Sequence, residues 1–174
     1  MGLFKNLFGG AKVTKATDPA LCKTAPKTVY VPINGNVIPL KEIADPVFSE
    51  GILGQGCGIE PEEERLTAPF DGTVTQIAET RHAIGVTSGD GMELLLHVGI
   101  DTVDMQGKGF CVEVKVGETV HCGQTLLTFD TAAIRAAGHL PTVAVLVTNT
   151  DDFAQVELLK NGSATIGEPL LKLH

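Results

Sequence analysis

From Thr28 onward, apolar residues recur in short runs with a period near two, and each run stops at a turn signal. "TVYVPINGNVIPL" breaks at Asn34-Gly35 and "TAPFDGTVTQIAE" at Asp71-Gly72, while "VEVKVGETVHCGQTLLTFD" and "NGSATIGEPLLKL" each hold a Gly-Glu turn. Period two describes a strand with one face buried, and many such strands closely spaced by turns predict an all-β sandwich or barrel. Two stretches echo each other, Pro32-x-x-Gly35-x-Val37 and Pro69-x-x-Gly72-x-Val74. "VKVGETVHCGQTLL" and "GSATIGEPLLKL" form a weaker echo, so a duplicated β motif is expected. Helix is expected only in short pieces, at residues 40–44, 131–137 and 151–159.

The start of the chain has a different pattern. Leu3, Phe4, Leu7 and Phe8 fall at helical spacing and stop at Gly9-Gly10, and the stretch that follows has no clear period. Residues 1–26 read as a mobile tail joined to a domain of residues 27–174. The first eight residues suit either a short amphipathic helix making peripheral contact with an anionic membrane or a disordered tail, because so short a helix is marginal in water. Asn6 stands where a myristoylation signal wants Ser or Thr.

Composition narrows the function. The chain has 174 residues, 43% of them hydrophobic, enough for one domain with a sizeable core. A net charge of -8, no Trp and one Tyr argue against nucleic acid as a partner, since phosphate backbones need excess Lys and Arg and single strands need aromatic platforms. Acidic surface instead suits basic partner proteins. Cys22, Cys57, Cys111 and Cys122 form no CxxC pair and have no metal-ligand spacing, so reduced thiols in a cytoplasmic protein are expected. There is no secretory signal and no apolar run long enough for a membrane span.

One strand carries an unexpected side chain. In "MELLLHV", alternation turns Met92, Leu94, Leu96 and Val98 to one face and Glu93, Leu95 and His97 to the other. "AETRHAIGV" is also strand-like, with Thr80, His82, Ile84 and Val86 sharing a face, and "TSGDG" between the two predicts a hairpin. Its register puts His82 and His97 at similar depth on neighbouring strands. A lone histidine on an apolar strand is ordinarily a core residue bonded to backbone, whereas two facing imidazoles form a site pattern. Such a pair admits metal binding, acid–base hydrolysis, or attack of a neutral ring nitrogen on phosphorus. No HExxH or GxSxG supports the first two. For the third, no Walker A loop binds a nucleotide, so the donor would be a phosphoprotein.

"ELLLHVGIDTV" followed by "GKGF", together with "APFDGTV", "DPVFSEGILGQG", "TRHAIGV" and the closing "GSATIGEPLLKL", resembles the glucose-family enzyme IIA of the bacterial phosphoenolpyruvate-dependent sugar phosphotransferase system. The resemblance runs from about Thr28 to the C-terminus. It implies an antiparallel β-sandwich or barrel with Greek-key features. It further implies that His97 accepts a phosphoryl group from phospho-HPr and passes it to a cysteine on the IIB domain of a sugar permease. His82 matches the histidine that supports the phosphoryl oxygens, and Thr80 matches a residue hydrogen-bonded to that assembly. Gly99 is the expected source of a backbone carbonyl for one ring nitrogen of His97.

The resemblance also assigns a docking face. Val47, Phe48, Ile52, Leu53, Leu95 and Val103 match an apolar rim, and Asp45 and Asp101 match acidic residues that meet basic side chains of HPr and IIB. Ala78 and Leu95 depart from the pattern, standing where larger aromatics are common. No cofactor is required, although His82 and His97 could share a zinc ion with a partner's carboxylate. The alternative output is regulatory, a binding protein that controls permeases, glycerol kinase or a cyclase according to His97 phosphorylation. A β-fold zinc hydrolase is a further rival that lacks its ligand motif. Acidic residues 61–65 are expected to form a solvated turn, and His121, His139 and His174 to be surface residues.

Overall fold

A computed structural model describes residues 24–174. The turn signals cut this stretch into fourteen strands. The first seven are β1 (Thr28–Tyr30), β2 (Gly35–Pro39), β3 (Gln55–Pro61), β4 (Arg65–Thr67), β5 (Gly72–Ile77), β6 (Ala83–Ser88) and β7 (Glu93–Val98). Then come β8 (Phe110–Val112), β9 (Thr119–Val120), β10 (Thr125–Phe129), β11 (Val143–Val147), β12 (Val156–Leu158), β13 (Gly162–Ala164) and β14 (Pro169–Leu173). All pairings are antiparallel. An eight-stranded sheet runs β13-β2-β3-β11-β7-β6-β5-β9, accompanied by β1-β14-β12 and β4-β10-β8. The all-β expectation holds.

The sheet order reads as a palindrome of related strands about the β7–β11 pair. Gly35 opens β2 and Gly72 opens β5, and a Cβ on either would lie 2.2 Å from the Glu60 carbonyl oxygen or 2.3 Å from that of Thr87. Two echoed segments are also tied to each other reciprocally: Thr67 N–H donates to the Pro32 carbonyl, and Tyr30 N–H to the Pro69 carbonyl. The weaker echo gives matching contacts, with Gly123 N–H donating to Ala68 and Gly167 N–H to Val31. The repeat read in the sequence is therefore an internal two-fold relation.

Among the described residues, helix is confined to Pro46–Ser49, Thr131–Ala136 and single 3-10 turns at Leu40–Glu42, Thr102–Met105 and Thr150–Asp152. The helix expected at 151–159 does not form. After the turn at Thr150–Asp152 the chain extends as β12, where Val156 pairs with Leu173 and Leu158 with Leu171, so pairing with a distant strand overrides local helical preference. Residues 61–65 are more than a solvated turn: Glu63 accepts from Asn34 N–H, and the Glu64 carboxylate accepts from Thr131 N–H.

The main core lies between the sheets and includes Ile59, Leu66, Val86, Leu94, Leu96, Leu126, Val145 and Leu171. Ile43, Phe48, Ile100, Ala144 and Leu146 form a second, smaller cluster with Leu95 packed against it. Full burial of a Leu or Ile side chain contributes about 1.5–3 kcal/mol, so the main core dominates stability. Cys57 and Cys111 are free, but Cys122 is disulfide-bonded, which corrects for that residue the expectation of reduced thiols. The amphipathic segment at residues 1–8 and most of the expected tail lie outside the described residues. No described helix is long and apolar enough to cross a membrane.

Candidate active site

Strand β7 places its alternate side chains as expected. Leu94, Leu96 and Val98 are buried in the main core, while Leu95 and His97 are half-buried on the opposite side. In the β-ladder, His97 lies between two small residues, Ala83 on β6 and Ala144 on β11. Alanines on both sides leave the face of the sheet open around the imidazole.

The expected hairpin forms, with Val86 opposite Leu94 and Ala83 opposite His97. His82 does not share a strand face with Ile84 and Val86, however. Strand β6 begins one residue later, after Arg81 adopts a left-handed φ of 62° and its N–H donates to the Ala78 carbonyl. Leaving the regular alternation brings the His82 ring against His97, with centroids 4.7 Å apart and planes at 79°. The Val98 N–H donates to the His82 carbonyl at 2.8 Å and ties the two segments together. Thr80 Oγ1 lies 2.8 Å from His82 Nδ1.

Two phenylalanines extend this pair. Phe48 meets His97 at 4.8 Å and 60°, and Phe110 meets His82 at 6.4 Å and 65°. The result is a run of four rings, each edge-on to the next.

Burial dominates the electrostatics. Desolvation, followed by repulsion from His82, lowers the His97 pKa to about 4, while the Gly99 backbone and the Asp45 charge work the other way. Burial likewise lowers that of His82, opposed by the Thr80 backbone. Both rings are therefore neutral at pH 7, which leaves each a lone pair. Nδ1 of His97 is buried, and although the Gly99 backbone is close enough to influence the ring, no partner reaches this atom with hydrogen-bonding geometry.

The docking residues divide. Val47, Ile52, Leu53 and Val103 are exposed, Ile52 at 66% and Val103 at 52%, and Asp101 is also exposed. Leu95 is half-buried against the second cluster. Phe48 does not belong to an open rim: it is 4% exposed, because the helix Pro46–Ser49 turns it inward onto His97. Asp45 caps that helix, its carboxylate accepting from Val47 N–H at 2.9 Å. Sequence reading missed this helix and the orientation of Phe48, for which the Asp45-Pro46 cap was the available signal. Phe110 was missed as well; it belongs to a three-residue strand with no pattern of its own.

His121 and His174 are exposed and approach Asp71 and Glu157, at 3.8 and 2.8 Å. His82 and His97 could offer two nitrogens to a metal. Among the described residues no three His, Cys, Asp or Glu side chains gather, so a four-coordinate zinc would need ligands from a second molecule.

Residues 27–153 match the family model for the phosphoenolpyruvate-dependent sugar phosphotransferase system, EIIA 1. The beta-glucoside-specific EIIBCA component of Dickeya chrysanthemi is 43% identical over 147 residues, covering 84% of this chain and 23% of that protein. The chain therefore spans about a quarter of the length of that relative. The glucose-specific EIIA component of Oceanobacillus iheyensis is 36% identical over 166 residues, 95% of each chain. Among solved structures, glucose permease IIA from Mycoplasma capricolum superposes with a TM-score of 0.78 at 32% identity, covering 83% of this chain and 93% of that one.

Proposed function

Since the chain belongs to the EIIA 1 family of the phosphoenolpyruvate-dependent sugar phosphotransferase system, we propose that it is a phosphocarrier in which His97 takes a phosphoryl group from phospho-HPr and delivers it to a IIB cysteine during uptake of glucose-type sugars. The EIIBCA relatives, whose names join an A part to B and C parts, support a IIB acceptor. The observation that carries the reading is the pair of neutral imidazoles whose ring centroids lie 4.7 Å apart beside the central strand β7.

The Nε2 lone pair of His97 attacks phosphorus as the bond to the donor breaks, and the donor's leaving group keeps the electron pair. In the second step a IIB thiolate attacks phosphorus, the P–N bond breaks, and the electron pair returns to Nε2. In the tautomer where the Thr80 hydroxyl donates to Nδ1 of His82, the proton of neutral His82 resides on Nε2, where it can donate to a phosphoryl oxygen. Such transfer depends mainly on in-line positioning and charge stabilisation, which rigid neighbours supply. The exposed apolar side chains Val47, Ile52, Leu53 and Val103, with Asp45 and Asp101, form the docking face for both partners.

The test is intact mass after incubation with phosphoenolpyruvate, enzyme I and HPr. One acid-labile phosphoryl group is expected on the wild type and on His82→Gln, and none on His97→Ala. An unlabelled, folded wild type would exclude the carrier role.

A further inference from the structure

A phosphoryl group on His97 would be the largest charge at this site, and little around it is positive. Bound to a side chain, such a group adds about −1.5 to −2 charges near pH 7. His82 and His97 are both kept neutral by burial, and the nearby Asp45 carboxylate repels an anion. Arg81 is the immediate chain neighbour of His82. The turn that carries both is closed by two backbone bonds, Ala78 N–H to the Ala83 carbonyl at 3.0 Å and Arg81 N–H to the Ala78 carbonyl at 2.8 Å. The left-handed backbone at Arg81, φ 62°, turns the two side chains apart, with His82 buried and Arg81 exposed. Gly or Asn fits such a backbone with less strain, so the turn itself does not call for an arginine.

The course of the Arg81 side chain is set by Gly107. A Cβ on Gly107, whose φ is 86°, would lie 3.7 Å from Arg81 Cδ and 3.9 Å from Arg81 Cγ. The aliphatic stem is therefore laid along the Gly107 backbone. That turn leads directly to Phe110, whose N–H donates to the Gly107 carbonyl at 3.3 Å and whose ring backs His82. The stem is thus held on the His82 side of the ring pair. Among the described residues Arg81 forms no ion pair with any carboxylate. Its guanidinium, a planar fork of N–H donors suited to phosphoryl oxygens, is left for another anion.

We propose that Arg81 is the charge-compensating residue of the phosphorylated state, its guanidinium pairing with oxygens of the phosphoryl group on His97 from the side of His82. This rests on the phosphocarrier reading, but a small chemical donor can place the group on His97 without any partner protein. The cation acts on the product of the first transfer, so it raises the share of phosphoryl groups that this protein holds against its donor.

The test compares the full chain as wild type, Arg81→Gln, Arg81→Asn and Arg81→Lys, with the exposed Lys108, next after Gly107, changed to Gln as a control. Each is checked for folding by circular dichroism. His97 is phosphorylated in parallel by phospho-HPr and by phosphoramidate, which needs no docking, and His97→Ala identifies its signal in phosphorus NMR. The pH titration of that signal reads the second ionisation of the phosphoryl group. A neighbouring cation favours the more highly charged form, so loss of the guanidinium should raise this pKa by about half a unit or more. The equilibrium with phospho-HPr should shift about threefold toward HPr. Arg81→Lys should keep part of both effects, and about 1 M salt should shrink the difference between variants. Arg81→Asn suits the left-handed backbone, so it remains informative if Arg81→Gln unfolds. A folded Arg81→Asn with the wild-type titration and equilibrium would overturn the proposal, as would an equal shift in Lys108→Gln. Labelling of His97 by phosphoramidate but not by phospho-HPr would count against the carrier reading alone, because the titration would still decide Arg81. A His97 that neither donor labels would overturn both.

Discussion

The hydroxyl of Thr80 lies 2.8 Å from Nδ1 of His82, on a ring set at 79° to that of His97. This contact holds the orientation of the His82 ring beside His97, so its loss should affect chemistry more than docking. Thr80→Val is expected to slow phosphorylation of His97 about tenfold at saturating HPr, whereas Thr80→Ser retains most of the rate. Rapid-quench kinetics across a range of HPr concentrations would check this.

The buried imidazoles make stability depend on pH. His97 has a folded pKa of about 4, below the unfolded value of about 6.5. As pH falls below 6.5 the unfolded chain gains a proton that the folded one refuses, so the stability due to neutral His97 is complete above that pH and is lost progressively down to about 4. His82 adds to the loss in the same direction. The contribution of His97 is on the order of 3 kcal/mol. Urea unfolding of wild type and His97→Ala at pH 7 and pH 4.5 should show the steeper loss in the wild type.

Docking can be weakened without touching the rings. Ile52 and Val103 are the most exposed of the apolar residues assigned to the docking face. Ile52→Asp or Val103→Glu should weaken HPr binding at least fivefold, about 1 kcal/mol, and leave the His97 titration unchanged. Calorimetric binding alongside NMR titration would separate the two effects.

The turn after β7 tolerates little. Gly99 has φ of 83°, and a Cβ there would lie 2.3 Å from Thr102 Cγ2. Thr102 is itself buried and donates to the Val98 carbonyl. Gly99→Ala is expected to cost about 2–4 kcal/mol, measured by denaturant unfolding, and to disturb the His97 ring through the displaced backbone.

Much of this arrangement was legible because strand alternation is a local property. The face of His97, the hairpin that brings His82 beside it and the echoed glycines all follow from period two and turn residues. Features set by a single residue or by distant pairing were not. The departure of His82 from alternation depends on one left-handed residue, Arg81. Phe48 turns inward on a helix of four residues, too short to show a 3.6-residue period. Val156 and Leu158 extend because β14 returns beside them, which no local window contains.

The β7–β11 pair lies at the middle of the eight-stranded sheet, and His97 is paired there on both flanks. A central strand opens only when the whole domain does, so amide exchange at His97 should report global unfolding. Whatever becomes attached to this ring is therefore carried by the most durable part of the molecule. A partner approaching the surface would distinguish the loaded from the unloaded state by the charge and bulk at one spot. The message passed along such a relay is written in chemistry, on a strand held at the middle of its sheet.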